Sequence, residues 1–167
     1  GFGFGPARQL LQGLPHFSRH EFVGEFPCAE VRFRDPHFPA RVSLRAFNPF
    51  IPLNAEDSGL PAAFFTVVIR NTTDRRLSYT AALSVRNPFD RRTLHEAVEE
   101  GRLRMIRLSS LAHAPDDPAY GTMTVAAAAD RWSRQTYWYR GSWFDNLGVY
   151  WRDLCAGGPF ADRTYPP

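Results

Sequence analysis

Phe47-Asn48-Pro49-Phe50-Ile51-Pro52-Leu53-Asn54-Ala55-Glu56-Asp57-Ser58-Gly59-Leu60-Pro61-Ala62-Ala63-Phe64-Phe65-Thr66-Val67-Val68-Ile69-Arg70-Asn71 joins two opposite kinds of sequence. In its first half Pro49, Pro52 and Pro61 each remove a backbone donor, fix φ and push the preceding residue towards extended geometry, so neither a helix interior nor a central strand fits. That half reads as a long, shaped loop. The second half, 64–69, is an unbroken apolar, aromatic and β-branched run closed by Asn71-Thr72-Thr73-Asp74, which predicts a buried strand ending in a turn. A proline-stiffened apolar loop feeding a core strand is a feature against which a neighbouring surface can pack.

Upstream, 25–38 alternates with period two. Ala29, Val31 and Phe33 fall on one face and Glu30, Arg32 and Arg34 on the other, as in a half-buried antiparallel strand ended by Asp35-Pro36. The stretch 41–47 repeats the pattern, with Val42, Leu44 and Ala46 opposite Arg41, Ser43 and Arg45, so 35–39 is expected to be a hairpin or corner. Further upstream, Gln9, Leu10, Leu11 and Leu14 could form a helical turn before Pro15. The glycines of Gly1-Phe2-Gly3-Phe4-Gly5 miss the spacing of a nucleotide loop.

Downstream, Asp74-Arg75-Arg76 marks a turn and 77–85 alternates again through Leu77, Tyr79, Ala81, Leu83 and Val85. Thr93-Leu94-His95-Glu96 has capping-box spacing and predicts a short helix over 93–101 that stops at Gly101. Strands are expected over 103–111, 122–128 and 135–140. All four tryptophans lie in the last third. Trp143, Phe144, Leu147, Tyr150, Trp151 and Leu154 recur at helical spacing, predicting a helix over 143–154 that Gly157-Gly158-Pro159 ends. Strand, polar turn and strand at this spacing define the expected class: an all-β antiparallel sandwich with one or two short helices.

The chain has 167 residues, enough for one domain with an ordinary core. Its 44% hydrophobic and 22% charged content is that of a globular chain. No apolar run approaches the roughly 20 residues of a membrane span, and the N-terminus lacks a signal-peptide layout, which favours a cytoplasmic location. The net charge is +3, and every one of the 20 basic residues is Arg. Arg32, Arg34, Arg41, Arg45, Arg70, Arg86 and Arg104 are scattered through expected strands. This pattern favours coding bias and solvent-facing strand positions over a nucleic-acid surface, which needs a patch or stripe. Cys28 and Cys155, the only cysteines, make neither a disulfide framework nor a zinc pattern and are expected to be free thiols.

The residues suggest no catalytic constellation. Glu56 with Asp57 and Asp116 with Asp117 lie beside prolines or turns, where carboxylates are ordinary solvated or capping groups. Asp145, considered with Asp153, sits where a helix start favours negative charge. His16, His20, His37, His95 and His113 show no metal-ligand spacing, so no metal and no cofactor is expected. Asn71-Thr72-Thr73 is a glycosylation sequon by pattern alone. The aromatic-rich last third leaves two readings open: a platform for sugar stacking through Trp138, Tyr139 or Trp143, or simple packing of one face of the 143–154 helix on the sandwich, which is preferred.

Ala46-Phe47-Asn48-Pro49-Phe50-Ile51-Pro52-Leu53-Asn54, followed by Asp57-Ser58 and Leu60-Pro61, resembles the N-terminal β-sandwich domain of glycoside hydrolase family 116. That family contains bacterial β-glucosidases and the non-lysosomal glucosylceramidase, or bile acid β-glucosidase. The stretch 26–39, Gly121-Thr122-Met123-Thr124-Val125-Ala126, and Tyr150-Trp151-Arg152-Asp153-Leu154 fit it in the same order. At the last of these, other members more often carry Phe-Trp.

The resemblance implies that residues 1–167 are a single N-terminal sandwich domain and a fragment of a larger, retaining β-glucosidase. It also implies that the nucleophile and acid/base lie in a separate α-helical barrel, so that this chain alone is inactive. Phe50, Ile51, Pro52, Leu53, Asn54 and Asp57 are then expected to face that barrel. The implied partners are the barrel of the same polypeptide and, through the parent enzyme, a glucoside or glycolipid. No nucleic acid or membrane span is expected, and an apolar patch exposed in the isolated chain would favour self-association.

Overall fold

The computed structural model describes residues 13–89, 91–141 and 145–166. The chain divides into two compact units, one over Pro15–Ala82 and one built chiefly of Leu83–Pro167. Among the described residues there are seven strands in two antiparallel sheets and two short helices, an all-β arrangement in keeping with a β-sandwich.

The first unit is a meander of β1 (Arg19–Glu25), β2 (Cys28–Arg34), β3 (Ala40–Phe47) and β4 (Phe64–Asn71), paired in chain order. Phe26-Pro27, a cis bond, fills the two-residue turn between β1 and β2, which suits a turn with cis-proline at its third position. The turn from β2 to β3 is held by Asp35, whose carboxylate accepts the His37 N–H at 2.8 Å and the Ser18 N–H at 3.0 Å. These bonds, that of His37 first, hold the Asp35 carboxyl below the usual range.

Register sorts this sheet into two unlike faces. Phe22, Val31, Leu44 and Val67 share one cross-strand row, and His20, Phe33, Val42 and Ile69 another, which makes an apolar face. Val23, Glu30, Arg45 and Thr66 share a row on the opposite face, which is largely charged. There Glu30 accepts from Arg32 at 2.8 Å and from Arg45 at 3.2 Å. These two bonds, that of Arg32 first, lower its pKa.

Two expectations for this unit need correction. The strand over 64–69 exists, but as β4 it is an edge strand and not a buried one, with Phe65 63% exposed and Phe64, Val67 and Val68 also exposed. Hydrophobicity marks a strand that needs covering, and nothing in its own unit covers it. The alternation over 77–85, a segment that runs past the end of this unit at Ala82, forms no ladder; it has no strand partner among the described residues. Within it the Tyr79 hydroxyl donates to Pro39 O at 2.9 Å, and its ring lies 6.1 Å from Phe38.

The second unit is a three-stranded meander of β5 (Thr93–Glu100), β6 (Leu103–Ser110) and β7 (Met123–Ala128), followed by a long irregular segment and helix α2 (Asn146–Cys155). The helix expected over 93–101 is instead strand β5. Gly101 sits at φ 55, and with Arg102 it forms the two-residue turn between Glu100 and Leu103. A glycine at positive φ ends a helix or turns a hairpin equally well. The choice is made by β6, through seven further residue pairs and through Arg107, whose guanidinium lies 2.8 Å from Glu96.

The strand expected over 135–140 is likewise absent. Two of its backbone donors go to side chains, Thr136 N–H to Asp162 at 2.9 Å and Arg140 N–H to the Tyr165 hydroxyl at 3.2 Å. The expected C-terminal helix is present as α2, with Gly157 at φ 68 just past its end. The expected helical turn before Pro15 and the Gly1 to Gly5 stretch fall mainly outside the described residues.

Candidate functional site

The proline corner of the first unit is more ordered than its composition suggests. After Pro52, Leu53 turns at φ 65 and Asn54 caps a single helical turn, α1 (Ala55–Ser58), accepting the Asp57 N–H at 3.0 Å. The Asn54 amide also donates to the Asp57 carboxylate at 2.7 Å. Ser58 closes the loop on itself, since its hydroxyl accepts the Ile51 N–H at 2.9 Å and lies 3.0 Å from Ile51 O. Asn48 spans the base by donating to Ala62 O at 2.9 Å. A polar skeleton of side chains thus satisfies backbone groups that prolines and turns leave without ladder partners.

The apolar members of this corner point outward. Phe50, Ile51, Leu53 and Leu60 are exposed, Leu53 completely so. Phe50 keeps one edge contact, to Phe26 at 4.9 Å. Phe50, Ile51, Pro52, Leu53, Asn54 and Asp57, which the sequence groups, are therefore brought together on one loop, with exposed hydrophobes outside and Asn54 and Asp57 acting as its internal braces.

In the second unit Trp138 and Tyr139 line an open cavity of about 370 Å³ with His95, Tyr137, Arg140, Gly141 and Asn146. Trp138 stacks on Tyr150 of α2 at 4.4 Å, and Tyr150 stacks in turn on Phe160 at 5.8 Å. One face of Trp138 is thereby committed to packing. Tyr139 is 37% exposed. Trp143 lies outside the described residues.

The sequence names His95 only in an expected capping box and among histidines without metal-ligand spacing, and it gives Arg140 no role. His95 Nδ1 lies 2.5 Å from Thr136 O, so that nitrogen must donate, and Nε2 is buried with no partner among the described residues. The ring stacks on Tyr137 at 4.1 Å. The Arg140 guanidinium lies over the rings of both Tyr137 and Tyr165, at 4.9 and 4.6 Å. Alternation could have placed His95 on a strand, but its partners lie more than forty residues away.

Of the remaining carboxylates, Asp117 and Asp153 are engaged locally. Asp117 accepts the Ala119 N–H at 2.8 Å and meets His113 at 2.9 Å, and these contacts, that of Ala119 first, lower its pKa. Asp153 pairs with Arg163 at 3.0 Å. Asp145 is the N-cap residue of α2 without a side-chain cap bond. No three His, Cys, Asp or Glu side chains among the described residues could hold a metal ion. Cys28 and Cys155 are exposed free thiols. No helix among the described residues is long and apolar enough to cross a membrane.

Two antiparallel sheets, one of them carrying a braced apolar corner, place the chain in the all-β class. The family itself is shown by comparison: residues 8–166 match the family described as "beta-glucosidase 2, glycosyl-hydrolase family 116 N-term". The chain belongs to the N-terminal domain family of glycoside hydrolase family 116. No curated protein matches it.

Proposed function

We propose that this chain is the non-catalytic N-terminal domain of a β-glucosidase or glucosylceramidase-like hydrolase, packing on the catalytic α-helical barrel and helping to shape the rim of its cleft. The observation that carries this reading is the corner from Phe50 to Leu60: exposed hydrophobes on a loop that Asn48, Asn54 and Ser58 hold in one conformation. An apolar surface ordered in advance loses little entropy when covered, which is what a fixed interface between domains requires. Glucosides or glycolipids are then substrates of the parent enzyme, and the same patch would favour self-association of the isolated chain.

The test uses the intact polypeptide and an aryl β-glucoside. Phe50→Asp combined with Leu53→Asp should lower kcat/KM by about tenfold or more, as expected when an interface contact that positions the cleft is lost. Glu56→Gln and Asp116→Asn should leave kcat within about twofold, since neither carboxylate takes part in bond breaking. Turnover abolished by Glu56→Gln in a protein that still folds would overturn the assignment.

A second reading, a sugar-binding module, is favoured by one observation: exposed Tyr139 lies at an open cavity lined also by Trp138, His95, Arg140 and Asn146, aromatic faces beside polar groups. Titrating glucosides while following tryptophan fluorescence separates the two. A saturable change lost in Tyr139→Ala supports sugar binding, and a flat response supports the scaffold.

A further inference from the structure

Arginines that are scattered in sequence meet in one row of the first sheet. Arg19 on β1 is opposite Arg34 on β2, and Arg41 on β3 is opposite Arg70 on β4. Arg34 and Arg41 continue the β2–β3 register one pair past Phe33 and Val42. All four therefore project from the charged face, along a line crossing every strand at about 4.8 Å per step, roughly 14 Å in all. Each is exposed, and none has a carboxylate within ion-pair distance among the described residues.

The contrast with the next rows of the same face is informative. One row inward, Arg32 lies opposite Glu21 and pairs with both Glu21 and Glu30; one further, Arg45 pairs with Glu30. The sheet thus neutralises its arginines where it carries glutamates and leaves the terminal row without them. Like charges directly opposite on neighbouring strands repel. Asp35, in the turn beyond the row, has its carboxylate engaged by Ser18 and His37. Asp74, in the turn after β4, is outnumbered by Arg75 and Arg76.

We infer that this row is a binding strip for a short, soluble, multiply charged phosphate-class anion, of the diphosphate or triphosphate kind. Guanidinium forks match phosphate oxygens in pairs, and neighbouring arginines on a sheet can converge on one anion. The shape of the strip argues for a small ligand. It is four arginines long but one row deep: in the rows behind it Glu21 and Glu30 balance Arg32 and Arg45, so the excess positive charge is confined to a single line, which fits a short anion better than a broad anionic plane such as a lipid surface or a nucleic acid. The inference does not depend on the proposed scaffold role, because it concerns the face opposite the apolar one.

The experiment is calorimetric titration of the intact protein with sodium tripolyphosphate at low ionic strength, alongside sodium chloride at matched ionic strength. Saturable binding is expected for tripolyphosphate alone, weakening by about tenfold when salt is raised through the physiological range. Arg41→Gln with Arg70→Gln should weaken it at least about tenfold, while Arg45→Gln, on the same face but paired with Glu30, should leave affinity within about twofold. Arg41→Lys with Arg70→Lys keeps the charge and should retain part of the affinity, which separates loss of the strip from misfolding. The inference is overturned by the absence of saturable binding or by equal affinity in the double Gln variant. It is also overturned if phosphatidylserine vesicles or oligo-dT bind through these arginines while tripolyphosphate does not.

Discussion

The Tyr137 hydroxyl accepts the backbone N–H of His95 at 3.1 Å, and the tyrosine ring lies under the His95 ring at 4.1 Å. One side chain from an irregular segment thus secures a residue of β5 forty-two positions earlier. The same hydroxyl is 3.4 Å from Thr93 O, and Tyr137 is only 5% exposed. Tyr137→Phe keeps the stacking but leaves the His95 N–H without its acceptor. It is expected to cost about 1–2 kcal/mol, the penalty for an unsatisfied buried group, measured by denaturant unfolding. Tyr137→Ala, which also removes the ring from between His95 and Tyr165, should cost about 3 kcal/mol or more.

Arg70 faces Arg41 across the β3–β4 ladder without a compensating carboxylate among the described residues. Arg70→Thr should therefore raise the unfolding temperature slightly at low salt, since it removes a repulsion and adds a β-branched residue to a strand. The gain should shrink as sodium chloride screens the charges. A gain independent of salt would show that strand propensity alone is responsible.

Asn54 holds the proline corner by capping α1 and donating to Asp57. Asn54→Ala should destabilise the corner by about 1 kcal/mol, the usual worth of an N-cap. The effect is expected as faster hydrogen exchange at Asp57 and Ser58. Exchange in β5 and β6 should not change. In the intact enzyme the same substitution should reduce turnover less than Phe50→Asp with Leu53→Asp, because it loosens the surface without charging it.

Asp162 links the irregular segment to the C-terminal residues. Burial, the largest single influence, pushes its pKa up, but the Thr136 N–H and hydroxyl, the Arg134 charge and the Arg163 N–H together outweigh burial and leave it lowered. Arg134 acts here by charge, since its Nε lies 3.3 Å from Asp162 without hydrogen-bond alignment. A carboxylate with a lowered folded-state pKa adds stability above its unfolded pKa and loses that stability as pH falls through the folded value. Asp162→Asn should lower the melting temperature by a few degrees at neutral pH. The difference from the parent should close in acid, below the usual aspartate range. A difference that persists unchanged there would mean that shape, not charge, sets the role of Asp162.

Local chemistry made much of the fold legible. Alternation placed Ala29, Val31 and Phe33 opposite Glu30, Arg32 and Arg34 before any partner strand was known, because a strand's side chains change face at every residue. Failures came where the deciding partner was remote. Thr93 to Gly101 satisfies the local rules of a capped helix, yet pairing with β6 makes it a strand. Likewise 135–140 has strand composition, but Asp162 and Tyr165 capture two of its backbone donors, those of Thr136 and Arg140.

For the candidate sites the same division holds. The corner from Phe50 to Asp57 was visible because prolines dictate backbone shape from within the chain. The arginine row was not, since Arg19, Arg34, Arg41 and Arg70 are up to fifty-one positions apart and become neighbours only through three successive registers. Sequence alone determined which segments alternate, where prolines and glycines turn the chain, and the family to which it belongs, because these depend on each residue and its near neighbours. Which strands pair, which face gathers the charge, and where His95 finds its partners were decided by tertiary structure, because hydrogen-bond ladders and electrostatic contacts act through space and are indifferent to separation along the chain.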